Sequence, residues 1–192
     1  MVRIDPDIVA VDGSGDAAEL PSQGWVAGDV HVYPVRVYYE DTDVGGVVYH
    51  SNYLKFAERA RTELLRLIGF PHGELMEREG CAFAVRRCEA DYIRPALFDD
   101  ALEVHTGNID MEAAGFWLDQ RVKRDGEDLA VLRVRLACIG PKGRPVRLPT
   151  RLRSTLLAFA DRAGMGGQKS VSQEAGKENS GIMEESKIKE RV

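Results

Sequence analysis

A carboxylate, two adjacent glycines and a histidine crowd one short stretch of this chain: Asp43, Gly45, Gly46 and His50, within residues 38–53. A β-rich run enters the stretch and a helical pattern leaves it, which puts the four at a strand-to-helix crossover. Amides at a helix start have no intrahelical carbonyl to bond, and glycine lets a substrate approach the backbone without a Cβ in the way. A carboxylate beside free N–H donors suits attack on an activated carbonyl. The acid either activates water or attacks directly, and the amides hold the negative charge that develops on oxygen. These residue types leave both routes open. His50, in the first helical turn, can offer its N–H to that oxygen while its ring orients water or Asp43. Tyr39 can hydrogen-bond the carboxylate or shape a pocket.

Other chemistries fit the same residues less well. Asp41, Asp43 and Gly46 match the first, third and sixth positions of a calcium loop, but Gly45 stands fifth and Asn52 twelfth, where a bidentate Glu is needed. Gly45-Gly46 lacks the Lys-Ser/Thr of a phosphate-binding loop, and no Gly-x-Ser-x-Gly elbow occurs. Glu40 and Asp41 read as turn and helix-capping acids rather than reactive groups. Cys81, Cys88 and Cys138 form an odd set with no second ligand pair, which argues against zinc and fits a reducing compartment. All three read as small packing residues.

The elements that must position this site follow from periodicity. His31–Tyr39 has strand character. From Ser51 to Ile68, Tyr53, Phe56, Ala57, Ala60, Leu64, Leu67 and Ile68 recur at helical steps, with Lys55, Arg59, Glu63 and Arg66 on other faces. Ser51 or Asn52 is placed to cap this helix, and Gly69 with Pro71 to end it. A short helix over 72–79 follows. Strands are expected at Ala82–Arg94, Leu102–Ile109 and Phe116–Lys123, then a hairpin at Asp125-Gly126. The returning strand points Leu132, Val134, Leu136 and Cys138 one way and Arg133 and Arg135 the other, as half-buried antiparallel strands do. A terminal helix is expected over 150–160. The sum is an α+β domain over 31–160, a five-stranded antiparallel sheet wrapped around one long helix. Residues 1–30 read as a flexible leader and 161–192 as a disordered tail. One helix covers only part of such a sheet, so pairing of two chains through an edge or face would help.

Composition narrows the function classes. The 192 residues are 44% hydrophobic and 30% charged, in the range of a globular protein. The net charge of −5 arises within residues 1–30, and the rest is balanced, with no basic excess for nucleic acid. No apolar run approaches the roughly 18 residues that span a bilayer. The acidic start, with only Arg3 as a base, speaks against a secretory signal.

The run Arg36-Val37-Tyr38-Tyr39-Glu40-Asp41-Thr42-Asp43-Val44-Gly45-Gly46-Val47-Val48-Tyr49-His50-Ser51-Asn52-Tyr53 resembles the signature of the hotdog-fold acyl-CoA thioesterases. It is most similar to the YbgC-type branch of the 4-hydroxybenzoyl-CoA thioesterase-like family, linked in many bacteria with the Tol-Pal envelope system. Glu58–Glu63, Phe83–Arg86 and Tyr92–Ala96 continue the likeness, which covers about residues 31–160. The resemblance implies a cytoplasmic hydrolase, or one peripheral at the inner membrane, that splits acyl-CoA into a carboxylic acid and coenzyme A. It implies no metal or other cofactor, and a homodimer or homotetramer with active sites between subunits. By the same resemblance Asp43 is the catalytic carboxylate, with Tyr39 and His50 implicated beside it. Gly46, His50 and Ser51 are the candidate oxyanion donors. Arg59, Arg87 and Arg94, with Arg61 and Arg86, are candidates for the coenzyme A phosphates. The competing reading is an acyl-group-binding protein, partnered by acyl carrier protein or an envelope complex, with little catalysis. A hotdog dehydratase fits less well, because those enzymes place their histidine and carboxylate differently.

Overall fold

The computed structural model describes residues 23–161. In chain order these form β1 (Trp25–Ala27), β2 (Val30–Arg36), a single 3-10 turn (Tyr39–Asp41), α1 (His50–Leu67), α2 (His72–Glu79), β3 (Ala82–Tyr92), β4 (Ala101–Met111), β5 (Gly115–Arg124), β6 (Glu127–Ile139) and α3 (Thr150–Ala160). All strand pairs are antiparallel, and the sheet order is β1-β2-β4-β5-β6-β3. The expected architecture is present with one more strand. That strand, β1, has only three residues and lies in the stretch read as leader. So short a run between glycines carries no alternation to detect. Residues 1–22 and 162–192, most of the expected leader and tail, lie outside the described residues.

The core forms where α1 lies on the sheet. Tyr53, Phe56, Ala57, Ala60 and Leu65 of α1 share one buried cluster with Leu102 and Val104 of β4, Phe116, Leu118 and Val122 of β5, and Leu132 and Val134 of β6. Asp125 and Gly126 both take positive φ, 51° and 82°, in the two-residue turn that joins β5 to β6. Leu152 and Leu156 of α3 close the core. One polar cluster interrupts this apolar layer. The buried Gln120 amide donates to the Ala57 carbonyl of α1 at 2.9 Å and to Thr106 Oγ1 of β4 at 2.9 Å. Its Oε1 accepts from Arg61 Nη1 at 2.6 Å. These bonds fix the rotation and height of α1 over β4 and β5, because sliding the helix would strand buried polar groups.

At the sheet edge, β3 is left open. Helix α1 packs on β2, β4 and β5, and Val85–Tyr92 of β3 is exposed along its length. Cys88 lies in that run and is exposed, unlike the buried Cys81 and Cys138, so the packing role expected of all three holds for only two. Burial pushes the Cys138 thiol up to about 12. Among the described residues no helix is long and apolar enough to cross a membrane.

His31 faces inward from β2, opposite Thr106, and is fully buried. Its Nε2 lies 2.8 Å from the Gln23 carbonyl; a carbonyl can only accept, so Nε2 carries the proton. Nδ1 is buried without a hydrogen-bond partner among the described residues. Burial pushes the imidazole below its ordinary pKa, outweighing the smaller upward pull of the Gln23 bond and of the Glu63 carboxylate. Below about pH 6.5 the unfolded chain therefore takes up a proton that the native state resists, and stability falls with pH. Melting temperatures measured between about pH 7.5 and pH 5.5 should drop, with His31→Gln flattening part of that slope. An identical slope in the variant would remove His31 as a cause.

Candidate active site

After β2 the chain runs through the 3-10 turn into a loop that returns directly to α1. Asp41 is buried and organises the entry: its carboxylate accepts from the Tyr38 amide at 2.9 Å. Bridges Thr42↔Val48 and Val47↔Leu97 fold the loop into a ribbon beside the 95–97 segment. The Val48 amide donates to the Ala96 carbonyl at 2.8 Å, and the Ala96 amide donates to Tyr53 Oη at 2.8 Å. Asp43 thus stands at the tip of a braced ribbon, not on a free loop.

The tip is a tight turn. The Gly46 amide donates to the Asp43 carbonyl at 3.0 Å, and the Asp43 amide donates to the Val47 carbonyl at 3.0 Å. Gly46 has φ 75°, a conformation that excludes most side chains and explains a glycine there. The Gly45 amide donates to Asp43 Oδ1 at 2.8 Å, the local side-chain bond that aspartate makes in turns. Asp43 is exposed, and its second carboxylate oxygen has no protein donor among the described residues.

Helix α1 begins at His50, with Tyr49 as its cap residue and no side-chain cap. The expectation that Ser51 or Asn52 caps the helix is corrected: both lie inside it, and the Asn52 side chain turns back to the loop. The Asn52 amide N–H is spent on the Tyr49 carbonyl at 2.8 Å. His50 and Ser51 supply first-turn amides, where intrahelical partners are missing and the helix dipole favours negative charge. Gly46, expected as an oxyanion donor, is not one here, because its N–H closes the Asp43 turn.

The ring of His50 lines an open cleft of about 260 Å³ with Val48, Tyr53, Tyr92, Ile93, Arg94 and Pro95. It lies tilted against Tyr49 at 4.4 Å and edge-on to Tyr92 at 6.1 Å between ring centroids. Tyr39 stacks on Phe98 at 3.9 Å with the rings 16° apart. Among the described residues neither Tyr39 nor His50 hydrogen-bonds the Asp43 carboxylate. The arginines separate. Arg94 lines the His50 cleft and reaches Glu127 at 3.7 Å. Arg59 borders a different cleft, of about 330 Å³, with Lys55, Glu58, Glu40 and Asp41. Arg87 pairs with Glu89 at 2.9 Å on β3, and Arg61 is a buried partner of Gln120, out of reach of a phosphate. Among the described residues no group of three or more His, Cys, Asp or Glu is placed to hold a metal ion.

Sequence reasoning missed Tyr92, which walls the cleft from β3, and undervalued Tyr53, whose hydroxyl holds the 95–97 segment. Both look like ordinary strand and helix aromatics in the sequence. Only the pairing of β3 with β6, remote from the loop in sequence, brings Tyr92 to His50.

Comparison with known proteins bears on the fold and family. A model of the thioesterase-like superfamily matches residues 37–156. The acyl-CoA thioesterase YbgC of Haemophilus influenzae is 43% identical over 123 residues, covering 64% of this chain and 90% of that protein. The acyl-CoA thioester hydrolase YbgC of Escherichia coli is 45% identical over 119 residues, covering 61% and 88%. Among solved structures, a probable thioesterase from Bartonella henselae is 40% identical with a TM-score of 0.60, covering 62% of this chain and 99% of that one. With more than half its length matched, and with the sheet-wrapped helix that its hotdog neighbours share, the chain belongs to the thioesterase-like superfamily as a YbgC-type member.

Proposed function

We propose that this chain is an acyl-CoA thioester hydrolase whose reacting centre is the Asp43 turn and the start of α1. One observation supports the reading: an exposed carboxylate stands at the tip of a braced ribbon, in the loop that leads directly into the first-turn amides of His50 and Ser51. In one route Asp43 takes a proton from water as the water oxygen attacks the thioester carbon. In the other the carboxylate attacks first, giving a mixed anhydride that water then opens. In both, the carbonyl oxygen gains charge that the helix amides would hold and the C–S bond breaks; the sulfur takes up the proton drawn from water, as it departs in the first route and once water has opened the anhydride in the second. The products are a carboxylic acid and coenzyme A. The acyl group takes the cleft walled by His50, Tyr53 and Tyr92, with Arg94 at its rim for the coenzyme A side. Tyr39, stacked on Phe98, shapes the approach. Three unpaired cysteines fit a cytoplasmic setting.

The same reading needs a second copy of the chain. Strand β3 is eleven residues long, sits at the sheet edge and exposes Val85 and Tyr92. An open edge of this length invites pairing. Antiparallel pairing of β3 with its copy would extend the sheet and close the cleft that Tyr92 borders.

Turnover of an acyl-CoA panel, followed by thiol release, should fall about 10²–10⁴-fold in Asp43→Asn. Undiminished turnover in that variant would overturn the assignment. Sedimentation should give two or four times the 21.3 kDa chain mass, with Val85→Lys shifting the population toward monomer. A fully active wild-type monomer at assay concentration would contradict the paired-edge reading.

A further inference from the structure

We infer that Asn52 is a positioning residue for Asp43, acting through the Asp41 carbonyl; the inference rests on the reading of Asp43 given above. Asn52 is buried within the first turn of α1. Its side chain does not cap the helix but reaches back eleven residues, Nδ2 donating to the Asp41 carbonyl at 2.8 Å. Since a carbonyl only accepts, the atom facing it is the amide nitrogen, and the orientation of the Asn52 amide is fixed. The same carbonyl accepts the Tyr49 amide at 2.9 Å. Both lone pairs of Asp41 O are therefore used, one by the residue before the helix and one by the helix itself.

These two bonds close the neck of the loop that carries Asp43. On the far side of the residue, the Asp41 carboxylate holds the Tyr38 amide at 2.9 Å, so Asp41 is fixed at both ends. Asp43 follows it by two residues, and the amides of His50 and Ser51 lie between Tyr49 and Asn52 in the chain. The clamp thus ties the carboxylate and the oxyanion donors to one atom. Backbone bonds alone would hold the loop shut through Tyr49; the Asn52 bond adds a link from inside the helix, which sets the loop's angle against the helix axis. Asn52 does not line the His50 cleft, and its side chain bonds Asp41 rather than Asp43. Its effect should fall on the alignment of the reacting groups and leave the binding surfaces in place. A displacement of about 1 Å in such a site costs on the order of 10²-fold in rate.

The test is a cycle of four full-length proteins: wild type, Asn52→Asp, Asp43→Asn and the double variant. Asn52→Asp keeps the shape but replaces the donor with an acceptor facing the Asp41 carbonyl. In the wild-type background, kcat for acyl-CoA hydrolysis should fall about 10–100-fold with KM changed less than about threefold. In the Asp43→Asn background the same substitution should cost almost nothing further, since the group it positions is gone. Equal losses in both backgrounds, a loss carried by KM, or unchanged kcat would each overturn the proposal. If Asp43→Asn itself retains full turnover, the reading of Asp43 fails first and the positioning role fails with it. Asn52→Ser, which keeps a short donor in the first turn, replaces Asn52→Asp should the latter not fold. It should lose less than Asn52→Leu, and equal losses in those two would also overturn the proposal.

Discussion

The structure depends on a single backbone oxygen. The Asp41 carbonyl receives the Tyr49 amide and the Asn52 side chain together, and through them the strand side of the molecule is joined to the start of α1. Buried carbonyls demand partners, and an unmet one costs about 1–3 kcal/mol, so the junction is strongly specified. Everything at the tip inherits its position from this junction. The 43–46 turn, the bridge to Val48 and the contact of the ribbon with the 95–97 segment add stiffness beyond it.

A second constraint sits deeper. The Gln120 cluster locks α1 over β4 and β5, so the helix start that receives the loop is fixed against the sheet. The two devices answer different questions: Gln120 sets where the helix lies, and Asp41 sets where the loop lies relative to the helix. Neither touches the cleft. The cleft sets Tyr92 at the end of β3 and Ile93, Arg94 and Pro95 after it against Val48, His50 and Tyr53.

Much of this was legible in the sequence, for physical reasons that differ by element. The alternation of Leu132, Val134, Leu136 and Cys138 marked β6 because one face of that strand is buried and the other solvated. The spacing of Tyr53, Phe56, Ala57 and Ala60 marked α1 equally well. The glycine pair revealed the turn that bears Asp43. What stayed hidden depends on contacts distant along the chain. Asn52 looks like a helix cap until its bond to Asp41 is seen. Gly46 looks like a donor until its amide is found closing the turn. Arg61 looks like a surface cation until Gln120, far along the chain, is brought beneath it. Tyr92 has no mark at all without the register of β3 on β6. The resemblance drew attention to this loop, but which of its groups are already bonded came from geometry: the Gly46 amide closes the turn, while one Asp43 carboxylate oxygen has no donor among the described residues.

The most direct measurement is a structure of the protein with a non-hydrolysable acyl-CoA analogue in which a methylene separates the carbonyl carbon from sulfur. The account predicts the analogue's carbonyl oxygen within hydrogen-bond reach of the His50 or Ser51 amide. It also predicts the Asp43 carboxylate within about 3–3.5 Å of the carbonyl carbon or of a water poised against it. An analogue bound with its carbonyl at another cleft, with Asp43 facing bulk solvent, would contradict it.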